Sequence, residues 1–110
     1  MMYKLLQTLI LCGISISTFA ASIRSQEAIL YVGTVQTVCG DVAEVALHRN
    51  DTFINLDRSY PNQSFYIYLP NYKWEVKSIF KKKVCVTGQV RNHNGKAQII
   101  ISNPKQIKIY

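Results

Sequence analysis

From Leu30 onward apolar and polar positions alternate in short runs separated by turn residues, the period-two pattern of half-buried β-strands. In Val38-Cys39-Gly40-Asp41-Val42 the odd and even positions fall on opposite faces, and a first strand is expected over roughly residues 31–46. The polar cluster His48-Arg49-Asn50-Asp51 then turns the chain into a second strand, Thr52 to Asp57, with Ile54 and Leu56 inward and Phe53 and Asn55 outward. Arg58-Ser59-Tyr60-Pro61-Asn62-Gln63 breaks the pattern, and Ser64 to Leu69 resumes it with Phe65, Ile67 and Leu69 inward and Tyr66 and Tyr68 outward. Between Pro70 and Lys83 the period changes: Val76, Ile79 and Phe80 lie at helical spacing, which predicts a short helix over residues 73–80. A fourth strand, Lys83 to Val90, points its even positions inward, and the Asn94-Gly95 pair closes a tight hairpin into a fifth, Ala97 to Ser102. The tail Lys105 to Tyr110 alternates again and extends the sheet, whereas residues 21–30 carry no period and are expected to form a flexible lead-in.

The first twenty residues belong to a different kind of segment. Lys4 precedes an apolar run, Leu5 to Ile16, that is too short for a stable membrane span, and small residues gather at Ser17 to Ser22. That is the layout of a signal peptide, with cleavage expected after Ala20 or Ala21. Cys12 does not suit a lipoprotein leader, because Leu11 before it is not small and the apolar run continues past it. The expected location is therefore periplasmic or secreted, with no transmembrane segment after cleavage. Cleavage removes Lys4 alone among the charged residues, leaving twelve basic and six acidic side chains and a net charge of +6. A field of that sign favours anionic partners such as nucleic acid, acidic lipid or polyanionic glycan. Cys39 and Cys85 then remain, an even pair that reads first as a disulfide in an oxidising compartment and second as two unpaired thiols serving as small strand residues.

Five strands, a short helix after the third, and glycines inside the first (Gly40) and fourth (Gly88) form the plan of an all-β, five-stranded Greek-key barrel over residues 31–110. The chain resembles the OB-fold family, in particular bacterial exported domains similar to the anticodon-binding domains of class II aminoacyl-tRNA synthetases. The resemblance rests on Val38-Cys39-Gly40-Asp41-Val42, Phe53-Ile54-Asn55-Leu56, Val84 through Val90, and Asn94 through Ile100. It implies that the strands bearing Cys39 and Cys85 are antiparallel neighbours, with both sulfurs outward. It also implies that Phe53 stacks on a base, joined on the same face by Tyr66 and Tyr68. Outward aromatics equally stabilise sheet by cross-strand packing, so both roles are open.

Arg49, Arg58, Lys73, Arg91 and Lys96 fall in or near loops flanking that face, where they are candidates to meet phosphates. Lys81-Lys82-Lys83, His48 and His93 read as solvated turn residues, and Trp74 as a plug at the end of the barrel. The acidic residues are scattered, and no Ser/His/Asp, Cys/His or metal-ligand spacing is visible. The acid and arginine set of the secreted OB-fold nucleases is not found either. The expectation is a non-enzymatic module without metal or cofactor, binding single-stranded nucleic acid or another polyanion. The alternatives are an accessory subunit with an envelope protein partner, or a stress-related small-ligand-binding OB protein.

Overall fold

The structure, a computed structural model, describes residues 21–73 and 79–110. The expected leader (1–20), Trp74 and most of the helix expected over 73–80 lie outside the described residues. Among the described residues there are seven strands: β1 (Ile23–Arg24), β2 (Val35–His48), β3 (Asp51–Leu56), β4 (Phe65–Leu69), β5 (Lys83–His93), β6 (Lys96–Ile100) and β7 (Ile107–Ile109). Short 3-10 helices occupy Ser25–Tyr31 and Pro104–Gln106.

The strands close into a ring in the order β2, β3, β4, β6, β5 and back to β2, with β1 and β7 added at the margins. Within the ring only β4 and β6 run parallel. Two long strands make closure possible because each serves two neighbours. Residues 35–41 of β2 pair with β5 and residues 42–48 pair with β3. The change falls at a bulge where the register shifts between Val42 and Glu44, and a bulge bends its strand. β5 likewise leaves β2 for β6, and there Gly88 is required: a Cβ at that position would lie 2.6 Å from Ile99 Cγ2. Asn94 and Gly95 both take positive φ, 53° and 88°, as the expected tight hairpin demands.

The alternation seen in the sequence sorts as expected around the interior. Val38, Ile54, Leu56, Phe65, Ile67, Val84, Val86 and Val90 are fully buried, together with Ile99 from β6 and Ile79 from the segment before β5. Cys39 and Cys85 face each other in the β2–β5 register and form a disulfide, with Cα atoms 4.0 Å apart. The tail extends the sheet as β7, paired to β5. Among the described residues no helix is long and apolar enough to cross a membrane.

Two expectations are corrected. Residues 21–30 are not a flexible lead-in: Ile23–Arg24 pairs with Val38–Cys39, and the following 3-10 turn buries Ser25 and Ala28 against the core. A short 3-10 turn whose two buried side chains are small, one of them polar, shows no apolar stripe in the sequence. The first ring strand also begins at Val35 rather than residue 31, because the 3-10 helix runs through Tyr31 and Gly33 then takes a φ of 93°.

Candidate nucleic-acid interface

Strand period places the candidate aromatic residues together. In β3, Thr52, Ile54 and Leu56 point to the interior, which sends Asp51, Phe53 and Asn55 to the opposite face. In β4, Phe65, Ile67 and Leu69 do the same and leave Tyr66 and Tyr68 beside them. The register sets Phe53 directly opposite Tyr68 and diagonal to Tyr66. The Phe53 and Tyr68 rings are stacked, centroids 4.8 Å apart and planes 12° from parallel, and Tyr66 is tilted at 6.2 Å.

Polar partners fix the two tyrosines. Tyr68 Oη donates to Asp51 Oδ2 at 3.0 Å, while Asp51 Oδ1 accepts from the Asn71 amide at 2.8 Å. The Asn71 amide, and next the Tyr68 hydroxyl, hold the Asp51 carboxyl below its ordinary value; the same bond raises Tyr68. Gln98, opposite Tyr66 on β6, donates from Nε2 to Tyr66 Oη. Burial, opposed by that bond, pushes Tyr66 up.

Tyr66 is not the open platform ring the sequence suggested, since only 8% of it is exposed. The loop between β3 and β4 folds over this face and is fastened at two places. Glu44 Oε1, on β2, accepts from the Tyr60 amide at 2.9 Å. Lys96 Nζ, on β6, donates to the carbonyls of Pro61 and Gln63 at 2.7 and 2.9 Å. Lys96 thus points its ammonium at the loop.

Beneath the loop runs a chain of side-chain hydrogen bonds whose polarity is set at one end. A carboxylate can only accept, so Asn55 turns its Nδ2 to Glu44 Oε1, at 2.8 Å. The Asn55 Oδ1 that remains accepts from Gln63 Nε2 at 3.0 Å. Gln63, 4% exposed, is left with a buried Oε1 that has no hydrogen-bond partner among the described residues. A buried acceptor in that state is costly unless something donates to it.

Phe53, Tyr66, Asn55 and Gln63 line a cleft of about 550 Å³ completed by Ala46, His48, Tyr60, His93, Asn94 and Lys96. Its lining carries aromatic rings, side-chain amides and two imidazoles. Arg49, Arg58, Lys73 and Arg91 are exposed but do not line it: Arg49 turns β2 into β3, Arg58 and Lys73 follow β3 and β4, and Arg91 sits opposite Gln98. The structure therefore gathers Phe53, Tyr66, Tyr68 and Lys96 and leaves the arginines around them at the periphery. Asn55, Tyr60, Gln63, His48, His93 and Asn94 are lining residues to which the sequence pattern assigns no binding role. The Tyr60-Pro61-Asn62-Gln63 run, which reads only as a chain break, is the one local signal for part of that set.

A second cleft, about 470 Å³, lies over the disulfide beside Asp41, Asp57 and Lys83. Its Asp57 accepts from Ser25 Oγ and from the Asp41 amide, and Tyr110 is its single ring. Among the described residues no group of three or more His, Cys, Asp or Glu is placed to hold a metal ion.

No protein-family model matches the chain, and no curated protein sequence does. Solved structures do resemble it. One is an OBody, AM1L10, bound to hen egg-white lysozyme: 18% identity, 86% of this chain, 98% of that one, TM-score 0.56. Another is a putative aspartyl-tRNA synthetase from Leishmania major Friedlin, at 12% identity and a TM-score of 0.56 over 87% of this chain. The match spans 22% of that synthetase. At these identities the likeness is one of fold.

Proposed function

We propose that this chain is an exported, non-enzymatic OB-fold module that binds single-stranded nucleic acid in the cleft beneath the β3–β4 loop. In this reading β2, β3, β4, β6 and β5 are the five strands of the Greek-key barrel. One observation carries the functional step. The stacked Phe53 and Tyr68 pair stands beside a cleft lined by the rings of Phe53 and Tyr66 and by the amides of Asn55 and Gln63. A nucleobase supplies both complements, a π face for the rings and polar edges for the amides. The basic excess of the chain supports the same partner, since phosphate contacts dominate affinity for a strand. Similarity in fold to part of an aspartyl-tRNA synthetase is consistent with it.

The test is a titration of a labelled single-stranded oligonucleotide at about 0.05 and about 0.2 M salt, where phosphate-driven binding weakens steeply. Saturable binding that falls with salt supports the proposal; no binding at either salt rejects it. A protein-binding accessory role is the second reading, favoured by the exposed apolar run Ile29, Leu30, Tyr31 and Val32 with Val35, the last 69% exposed. Recovery of a stoichiometric protein partner from an envelope fraction, lost on Leu30→Asp, would favour it.

A further inference from the structure

The chain contains two histidines, and the fold brings both to one cleft. His48 ends β2 and His93 ends β5, beyond opposite ends of the stretch over which those strands pair, and both line the cleft across β3, β4 and β6. Both side chains are exposed. The charged neighbours of each are few. His48 precedes Arg49 and stands opposite Asp51, whose carboxylate is already engaged by Tyr68 and Asn71. His93 stands opposite Lys96, two residues beyond Arg91, with Asn94 Nδ2 at 3.4 Å from its Nε2. The remaining carboxylate is Glu44, held under the loop by Asn55 and the Tyr60 amide. Lys96, the lysine of the cleft wall, has its ammonium turned to two carbonyls. Among the described lining residues, the imidazoles are the groups left to meet a phosphate by charge.

From this arrangement we infer that His48 and His93 are proton-dependent phosphate contacts at the rim of the cleft, so that the protein grips a single strand more tightly in mild acid. The inference rests on the nucleic-acid reading above and adds its regulation. An imidazole is the side chain whose ordinary charge change falls between pH 5 and 8, and its protonated form donates from both nitrogens. In the neutral form it presents one donor and no charge. Every further phosphate neutralised by the protein steepens the salt dependence of log K by about 0.7 for a single strand.

Oligothymidylate is the probe, because thymine has no group that titrates in mild acid. Its affinity for the full exported chain is measured at about pH 7.0 and about pH 5.5, a window chosen for imidazole, at several salt concentrations. The wild type is expected to bind roughly tenfold more tightly at the lower pH at about 0.1 M salt, with a slope steeper by about one. His48→Gln/His93→Gln is expected to lose that response, and each single variant to keep about half of it on a logarithmic scale. A wild type indifferent to pH overturns the inference while leaving the nucleic-acid reading intact. A double variant that keeps the full pH response also overturns it. Absence of binding at both pH values overturns both.

Discussion

Replacing Lys96 by alanine separates two roles that a lysine near a loop can play. A phosphate ligand would, on removal, flatten the salt dependence by about 0.7 per phosphate and leave stability within about 0.5 kcal/mol. The geometry assigns Lys96 to the other role. Its ammonium donates to the carbonyls of Pro61 and Gln63 and thereby fastens the loop that carries Tyr60 and Gln63 over the cleft. Hydrogen bonds to a charged group contribute about 1.5 to 3 kcal/mol each. Here the freed carbonyls can return to water as the loop lifts, so the pair is discounted to a net loss of about 2 kcal/mol. For a domain of this size that lowers Tm by roughly 10 °C. Binding should weaken as Gln63 loses its placement, but the salt slope should stay close to that of the wild type. Arg91→Ala, exposed on β5, supplies the contrast: unchanged Tm and a slope flatter by about 0.7 if it meets a phosphate. Thermal melts by circular dichroism and titrations at three salt concentrations decide the matter. A Lys96→Ala protein that melts with the wild type and shows the flattened slope would refute the positioning role.

Other outcomes follow from the same geometry. Gly88→Ala places a Cβ 2.6 Å from Ile99 Cγ2, and overpacking of that kind should cost about 1 to 3 kcal/mol in a denaturant titration. Cys39→Ser/Cys85→Ser opens a loop spanning 46 residues and should lower stability by about 4 kcal/mol on the chain-entropy model. The Asp51 carboxyl is held below its ordinary 3.8 by the Asn71 amide and Tyr68. Its contribution to stability is therefore complete above that value and lost as pH falls through the lower folded value. Asp51→Asn should remove this part of the acid dependence of unfolding. For Tyr68, raised above 10.0 chiefly by Asp51, the sign is opposite: stability is lost as pH rises through the folded value. Tyrosinate absorbance should show one hydroxyl titrating earlier in Asp51→Asn than in the wild type.

What the sequence makes legible is what depends on strand period. Alternation in β3 and β4 is enough to put Phe53, Tyr66 and Tyr68 on one face, because successive side chains of a strand have no other choice. The disulfide is legible by count, and cross-strand register puts its halves together. The burial of Tyr66 is not legible, since the loop that covers it has no period and is held by Glu44 from β2 and Lys96 from β6. Nor can a pattern show that the ammonium of Lys96 is drawn to carbonyls more than thirty residues earlier. His48 and His93, 45 residues apart, look like solvated turn residues until the fold sets both at one cleft. The 3-10 turn at Ser25–Tyr31 escapes for a related reason: one buried alanine and one buried serine make no stripe.

The central claim is that a strand of nucleic acid stacks its bases against Phe53 in the cleft. Fluorescence anisotropy of a labelled single strand, titrated with wild type and Phe53→Ala at about 0.1 M salt, tests it most directly. Phe53 lies on the face opposite the core, so its removal opens no cavity there and should leave a folded protein. Stacking contributes about 1 to 3 kcal/mol per base, so the variant should bind tenfold or more weakly while keeping the wild-type salt slope. A folded Phe53→Ala protein that binds as tightly as the wild type, or a wild type that does not bind, would contradict the account.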